Sequence, residues 1–277
     1  MLSTNIKIAN WNVRVLNCPA RREIFLKLVN AARPNIVCIQ ETKLDYIDSL
    51  LALQFLGPQL SEFDYIPAMG TCGGVLIAWD PDQIEAHDST ALNFCLSMWL
   101  KEKGTEADFY LTNVYGPAND TDKPSFLDEL RIAKPAPGTP WICLGDFNLI
   151  YEAKDKNNAN LNRRLMGQFR NALDDCQLME IALQNRRYTW SNERERPTLG
   201  PLRSCFFAQL SGKSSTQDLH CRPFRLRCPI IVLFSLPSSM RSPGKQGSNL
   251  KSFGAMYLAS SRLCRMLGRY QSWGHRR

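Results

Sequence analysis

The amino-acid sequence predicts an α/β fold in which helices and strands are layered around a mixed sheet. Apolar residues make up 44% of the 277 residues, which is typical of a globular protein. Short apolar runs of strand length recur through the first 150 residues, and several follow one another in the middle of the chain. Stretches with helical spacing separate other runs, and this mixture is typical of layered α/β folds.

The strands are predicted where an apolar run is short or alternates with polar residues. The first run, over 6–13, alternates, and the second, over 36–40, is short and stops at Glu41. Four more strands are predicted over 73–79, 94–100, 109–114 and 141–144.

The helices are predicted from apolar residues at intervals of three and four. In the first, over 21–32, this spacing runs from Ile24 to Val29, and Pro34 ends the helix. Two more helices are predicted over 123–130 and 166–175.

The excess of basic charge is confined to the last quarter of the chain. The net charge is +8, yet residues 1–200 contain 21 Lys and Arg against 25 Asp and Glu. Residues 201–277 contain 13 Lys and Arg and one acid, Asp218. Neither the alternation of a strand nor the spacing of a helix lasts for long there. The sequence therefore predicts a folded domain over 1–200 and a basic, poorly ordered tail over 201–277.

The cysteines and the apolar runs indicate an intracellular protein, nuclear or cytoplasmic, without a membrane partner. The ten cysteines form no C-x-x-C pair, and Cys38 and Cys143 fall within apolar runs, so reduced core residues are expected. The N-terminal segment lacks the apolar region of a secretory signal. The longest apolar run of the tail, 229–236, is far shorter than the roughly 20 residues that cross a bilayer.

Polar side chains stand at the ends of several predicted strands. They are Asn12, Glu41, Tyr115, Asp146 and Asn148. Functional groups of α/β proteins gather at strand ends, because the sheet holds them around one crevice. Taken singly, each stretch is also compatible with an ordinary turn or loop, since Gly, Asp and Asn commonly follow strands.

Four segments together resemble the endonuclease/exonuclease/phosphatase superfamily of metal-dependent phosphodiesterases. They are Trp-Asn-Val-Arg at 11–14, Gln-Glu-Thr at 40–42, Asn-Val-Tyr-Gly-Pro at 113–117 and Gly-Asp-Phe-Asn at 145–148. Four motifs in this order are far more specific than any one of them. The stretch from Asp155 to Asn192, with Tyr-Thr-Trp-Ser-Asn at its end, resembles more narrowly the endonuclease domain of plant non-LTR (LINE-type) retrotransposons.

The resemblance implies a four-layer α/β sandwich, with two mixed sheets flanked by helices, and a site at one rim that cuts DNA. Glu41 matches the glutamate that holds Mg²⁺, for which Mn²⁺ is an alternative. Asp146 matches the carboxylate that aligns and deprotonates the attacking water. Asn148 matches an amide donor to the phosphoryl oxygen, Tyr115 a tyrosine that contacts the phosphate, and Asn12 a group that orients phosphate or metal.

Three further residues are weaker candidates for contact with DNA. Arg163 and Arg164 could bind the phosphate backbone, but a solvated loop leading into a helix explains them as well. Trp190 could stack on a base, although a core position is the commoner role for tryptophan.

Two late motifs of the family, Leu-Asp-Arg and a terminal Ser-Asp-His, are absent from the sequence. The nearest substitute, Asp218-Leu-His220, has the wrong spacing. Codons compatible with residues 202–207, read one base later, encode Leu-Asp-Arg-Val-Phe. We therefore hypothesise that the tail is translated in a shifted frame and leaves the C-terminal strands incomplete. A smaller departure is Val15, where the plant elements usually have glycine; this change would alter the loop that presents Asn12.

Two functions from different classes follow from these observations. The first is a retroelement-derived endonuclease that is impaired by the loss of its terminal motifs. The second is a catalytically dead remnant that binds nucleic acid non-specifically through its basic tail. A phosphoesterase acting on a small molecule is a third possibility, which the retroelement-like stretch from Asp155 to Asn192 disfavours.

Overall fold

A computed structural model describes residues 6–69, 73–105, 108–152 and 161–180, together with the backbone of five short strands between 190 and 235. The helices are α1 (Pro19–Ala32), α2 (Ser49–Leu56), α3 (Lys123–Ile132) and α4 (Arg163–Cys176). The longer strands are β1 (Lys7–Asn12), β2 (Ile36–Gln40), β3 (Glu62–Ile66), β4 (Val75–Trp79), β5 (Ile84–Ala91), β6 (Cys95–Glu102), β7 (Asp108–Tyr115) and β8 (Trp141–Asp146). The shorter strands are β9 (Met179–Glu180), β10 (Trp190–Ser191), β11 (Leu199–Gly200), β12 (Phe207–Gln209), β13 (His220–Pro223) and β14 (Val232–Ser235).

Two six-stranded sheets form the body of the fold. The first sheet has the strand order β13-β14-β1-β2-β4-β3, and the second has the order β5-β6-β7-β8-β12-β9. Each is mixed, because β1 pairs in parallel with β2 and β7 pairs in parallel with β8, whereas the other pairs are antiparallel. The carboxyl ends of all four parallel strands point toward one rim of the molecule, which is where the polar strand-end residues lie.

The apolar side chains form three buried layers. The layer between the sheets includes Ile8, Cys38 and Leu111. A second layer, with Phe25 of α1, lies under α1 and α2 against the first sheet, and a third, with Phe169 of α4, lies under α3 and α4 against the second. The order helix, sheet, sheet, helix confirms the predicted four-layer sandwich with two mixed sheets.

All six predicted strands and all three predicted helices are present, with shifted ends. Among the helices and the longer strands, three elements were not predicted, namely α2, β3 and β5. The sequence of α2 is apolar on almost every side and shows no helical stripe, although Asp48 caps it by accepting a hydrogen bond from the backbone nitrogen of Leu51. After the buried Ile84, β5 is mostly polar and exposed, so it lacks the apolar alternation of a half-buried strand. β3, Glu-Phe-Asp-Tyr-Ile, is only five residues long, and none of its side chains is fully buried.

The short strands after residue 200 pair with both sheets. β12 lies antiparallel to β8, and β14 lies antiparallel to β1. Their backbones cover the two edges that the predicted loss of C-terminal strands would leave open, while the division of the chain at residue 200 stays a prediction. Residues 153–160 and 236–277 lie outside the described residues. In the described part of the chain, no helix has both the length and the apolar character needed to span a membrane.

Candidate active site at the rim of the sheets

The layer between the two sheets changes from apolar to polar toward the rim. Because side chains alternate along a strand, every second residue faces this layer. On β1 the inward residues are Ile8, then Asn10, then Asn12; on β2 they are Cys38 and Gln40; on β7 they are Leu111, Asn113 and Tyr115; and on β8 they are Leu144 and Asp146. The strands themselves therefore carry polar groups to one end of the sandwich.

A hydrogen bond joins the two sheets at the rim. Asn12 Nδ2, at the end of β1, donates to Asp146 Oδ2, at the end of β8, over 2.8 Å. The backbone nitrogen of Asn148 donates to the other carboxylate oxygen, Asp146 Oδ1, over 3.1 Å. These two bonds fix the orientation of the half-buried Asp146 carboxylate. A carboxylate that is to act as a base on water needs such a fixed orientation.

Glu41 reaches the site although strand alternation would turn it away. Its neighbour Gln40 faces the layer between the sheets, so a regular strand would point Glu41 to the opposite side. Instead Glu41 has φ 60°, which is uncommon for a residue other than glycine, and its backbone nitrogen donates to the carbonyl oxygen of Gly74 over 2.9 Å. Lys43 Nζ lies 3.6 Å from Glu41 Oε1 and balances the charge of the carboxylate.

Gly73 brings Glu41 and Tyr115 together. A Cβ atom built on Gly73 would lie 3.0 Å from Glu41 Cγ and 2.7 Å from Tyr115 Cε1. Both side chains therefore pack against the bare backbone of Gly73. Tyr115 is also the register partner of Asp146 in the parallel pair of β7 and β8. The four strand ends thus place Asn12, Glu41, Tyr115 and Asp146 at one rim.

Gly116 and Asn148 connect the loops that leave β7 and β8. The backbone nitrogen of Gly116 donates to the carbonyl oxygen of Asp146 over 2.7 Å, and Asn148 Nδ2 donates to the carbonyl oxygen of Gly116 over 2.8 Å. A Cβ on Gly116 would lie 2.2 Å from the carbonyl oxygen of Phe147, so only glycine allows the two loops to approach this closely. One hydrogen of the Asn148 amide is thus used to brace the site, a role that its expected contact with phosphate did not include.

The profile of the Endonuclease/Exonuclease/phosphatase family matches residues 9–207 of the sequence. The chain belongs to this family. No curated protein sequence matches it. Enzymes of this family are generally dependent on a divalent metal ion.

Several solved structures share the fold at low sequence identity. An AP endonuclease from Leishmania major is 16% identical, with a TM-score of 0.65, over 84% of this chain and 88% of the other. The endonuclease domain of TRAS1, a telomere-specific non-LTR retrotransposon, is 13% identical, with a TM-score of 0.60, over 84% of this chain and 99% of the other. A TDP2 from D. rerio in complex with a single-strand DNA product is 14% identical, with a TM-score of 0.55, over 84% and 98%.

The oxygen donors at the rim suit the hard divalent cation that this family generally uses. Glu41 and Asp146 offer carboxylate oxygens and Asn12 offers an amide oxygen, which are the ligand types of Mg²⁺. Across the described ranges, no cluster of three or more His, Cys, Asp or Glu side chains could hold a metal by itself. This donor set fits Mg²⁺ rather than a caged structural ion, because Mg²⁺ usually keeps several waters and takes one or two carboxylates together with substrate phosphate.

Arg163 and Arg164 are exposed in the first turn of α4. The preceding residue, Asn162, caps the helix and donates from Nδ2 to Asp120 Oδ2 over 3.1 Å. Asp120 also accepts a hydrogen bond from Lys123 Nζ over 2.6 Å, and the two donors lower the pKa of its carboxyl group. Since Asp120 lies in the loop after Tyr-Gly-Pro, the two arginines are tethered to a loop that leaves the site.

The remaining predicted residues lie elsewhere or outside the description. Only the backbone of Trp190 is described, paired with Gly200, so its predicted stacking role stays a prediction. The backbone of His220 pairs with Ser235, which in turn pairs with Lys7 at the start of β1. His220 is therefore level with the end of β1 that is remote from Asn12.

Sequence reasoning missed the contributions of Gly73, Lys43 and Gln40. The predicted strand over 73–79 begins with a glycine pair, and a contact between the Gly73 backbone and Tyr115 has no sequence signal. Sequence reasoning also expected that Val15, in place of glycine, would alter the loop that presents Asn12; the residue with positive φ in that loop is Arg14, at 62°. The backbone nitrogen of Arg14 donates to Asn12 Oδ1 over 3.1 Å, so the loop still orients Asn12.

Proposed function

We propose that the chain is a metal-dependent phosphodiesterase that cuts DNA, derived from the endonuclease of a plant LINE-type retrotransposon and impaired by loss of the terminal Asp-His motif. The observation that carries the proposal is the hydrogen bond of 2.8 Å between Asn12 and Asp146 across the two sheets. It supports a rigid carboxylate and amide pair at the rim where the parallel strands end. A carboxylate that an amide holds at a strand rim suits attack on a phosphodiester, because the fixed carboxylate can orient a water molecule toward the phosphorus.

In this proposal Asp146 orients a water molecule and accepts its proton as the oxygen attacks phosphorus. Tyr115 and the Asn148 amide donate to the non-bridging oxygens, where negative charge develops. Asn12 holds the Asp146 carboxylate in place from the other sheet. Glu41, with Asn12 beside it, would hold Mg²⁺ or Mn²⁺, which supplies charge neutralisation at the phosphate.

Exposed basic residues support a nucleic-acid substrate. Arg163 and Arg164 stand at the start of α4, tethered through Asn162 to the loop after Tyr115. Arginine guanidinium groups bind phosphate oxygens in two-point contacts and position the backbone without reading sequence. Double-stranded DNA crossing the rim would meet these groups on the side of the second sheet.

Nicking of a supercoiled plasmid in Mg²⁺ tests the proposal. The wild-type chain should convert supercoiled plasmid to open circles, and Asp146→Ala should lower the rate by about 10³-fold or more, as expected for a residue in a catalytic unit. Asp128→Ala is the matched control, since Asp128 is exposed on α3, where it pairs with Arg131. Equal rates for the wild type and Asp146→Ala, or no nicking by either, would remove the enzymatic proposal.

The basic tail supports a second candidate, a remnant that binds nucleic acid without cutting it. Residues 201–277 carry 13 Lys and Arg and one acid. Binding through such a tail should be independent of sequence and should weaken steeply between 50 and 200 mM salt. Plasmid binding that is unaffected by Asp146→Ala, without nicking, would favour this candidate.

The shifted frame is tested by the nucleotide sequence of the gene. If the tail arose by a frame change, the frame one base later should encode Leu-Asp-Arg near codon 202. A gene without this codon series would exclude the shifted frame, and the boundary at residue 200 would then need another cause.

A further inference from the structure

Three buried amide side chains form a layer directly beneath the candidate site. Asn10, Gln40 and Asn113 are each 0% exposed and face the space between the sheets. Gln40 Nε2 donates to Asn10 Oδ1 over 2.7 Å and to Asn113 Oδ1 over 2.5 Å. We call these three residues the amide floor, since each lies one or two positions before a site residue on its strand.

The amide floor fixes the two sheets relative to each other. Asn113, on the second sheet, donates from Nδ2 to the carbonyl oxygen of Ile39 over 3.1 Å and to that of Leu76 over 2.9 Å. Both carbonyl groups belong to the first sheet, on β2 and β4. Apolar contacts have no preferred direction, whereas hydrogen bonds specify distance and angle. The floor therefore sets the lateral position of one sheet on the other just below the rim.

The composition of the floor is not explained by stability. Among the described residues, Asn10 Nδ2 and Gln40 Oε1 are buried and have no hydrogen-bond partner. Buried polar groups that lack a partner lower stability, and apolar side chains of the same volume would avoid this loss. The layer immediately below, which contains Ile8 and Cys38, is apolar. On β1, β2 and β7, the buried polar side chains described for this layer lie at the end that approaches the site.

We propose that Gln40 is a positioning residue, which holds the end of β2, and hence Glu41, at a fixed distance from Tyr115 and Asp146. Gln40 is the last residue of β2, and the chain leaves the strand at Glu41 with φ 60°. The side chain of Gln40 is thus the last fixed point before the turn that carries the proposed metal ligand. This inference rests on the proposed role of Glu41 as a metal ligand, and it adds that the amide floor sets the affinity of the site for the metal ion.

Metal affinity measured without DNA tests the inference. Gln40→Met keeps the side-chain volume approximately but removes both hydrogen bonds. Titration of Mn²⁺ followed by electron paramagnetic resonance should show affinity about 10-fold weaker than that of the wild type, as is typical for residues that orient a metal ligand. Unchanged affinity would overturn the inference.

Thr112→Val is the matched control for this substitution. Thr112 is also fully buried and lies next to Asn113 on β7, but it faces α3 and α4. Its Oγ1 accepts from Trp141 Nε1 over 2.9 Å and is bonded to Ser97 Oγ over 2.9 Å, so Thr112→Val also removes two buried hydrogen bonds. The control should lower the urea midpoint of unfolding without changing Mn²⁺ affinity. An equal loss of affinity in both variants would show only a general loss of structure and would overturn the inference.

A second measurement separates this inference from the proposed function. If the floor holds the sheets at the spacing that the Asn12–Asp146 bond requires, Asp146→Ala should shift the urea midpoint less in the Gln40→Met background than in the wild type. In the Thr112→Val background, Asp146→Ala should shift the urea midpoint by as much as it does in the wild type. If the wild-type chain bound no Mn²⁺, that result would count against the proposed function. The positioning role would then be decided by the urea midpoints, and it would be overturned if the effects of Asp146→Ala and Gln40→Met were additive.

Discussion

Replacing Gly73 with alanine should disrupt the candidate site while leaving the fold in place. The added Cβ would lie 2.7 Å from Tyr115 Cε1 and 3.0 Å from Glu41 Cγ, with the Glu41 Cα at 3.1 Å. Carbon atoms in contact are normally about 3.5–4.0 Å apart, so the tyrosine ring must move by roughly 1 Å. A displacement of about 1 Å at a reacting centre can lower the rate about 10²-fold. Overpacking of this kind costs about 1–3 kcal/mol of stability.

Two assays measure this effect. The nicking rate of Gly73→Ala should fall about 100-fold, and its Mn²⁺ affinity should fall because Glu41 must also shift. The matched control is Gly167→Ala in α4, where an added Cβ has nothing within 4 Å. That substitution should raise the free energy of unfolding by about 0.5–1 kcal/mol, since glycine is unfavourable within a helix, and should leave the site unchanged.

One result would refute the reasoning about Gly73. If Gly73→Ala kept both the wild-type Mn²⁺ affinity and the wild-type urea midpoint, the backbone at this position would not lie against Glu41 and Tyr115. If the midpoint alone fell, the contact would exist but would not control the position of the proposed metal ligand.

Four further substitutions or treatments give distinct expectations. Asn12→Ala removes the charge-assisted bond across the rim and should cost about 1.5–3 kcal/mol in urea unfolding at pH 7, whereas a cost near zero would contradict the bond. The pKa of Asp120 is lowered by its hydrogen bonds, so its stabilising contribution is present above the ordinary value of 3.8 and is lost as the pH falls through the folded value; the difference in midpoint between the wild type and Asp120→Asn should therefore shrink between pH 6 and pH 3. Burial raises the pKa of the Cys176 thiol to about 11, and Cys18 is exposed, so iodoacetamide at pH 8 should label Cys18 well before Cys176, as read by peptide mass; equal rates would contradict the burial. His220→Ala should leave the nicking rate unchanged, and a loss of 10-fold or more would mean that this residue serves the site.

The fold and the strand-end residues were predictable because they depend on local patterns. Asn12, Tyr115 and Asp146 face the site by the same alternation that makes their strands recognisable in the sequence. In a regular strand, Glu41 would point away from the face that carries the site. It reaches the site through a positive φ, which the conformational preference of glutamate does not predict. Glu41 was found from its place directly after a predicted strand and from the resemblance to a family, whereas strand alternation alone would have excluded it.

The contacts that cross from one sheet to the other were not predictable. The three residues of the amide floor are separated by 30 and 73 positions in the chain, and single-sequence periodicity carries no information about partners at that distance. Buried amides also break the expectation of an apolar core. Such violations of local rules are concentrated where function requires them, and here they lie directly beneath the rim.

The position of His220 limits how the site can stabilise charge. Its backbone is level with Lys7, and five residues of strand separate Lys7 from Asn12, or about 16 Å at the usual rise. From this backbone position we expect His220 not to replace the terminal histidine that the family resemblance implies. If the proposed function holds, stabilisation of the developing charge would fall to neutral donors such as Tyr115 and Asn148 and to the proposed metal ion. Neutral donors bind an oxyanion less strongly than an imidazolium does. We therefore expect the missing histidine to lower the rate of phosphodiester cleavage more than it lowers the affinity for the substrate.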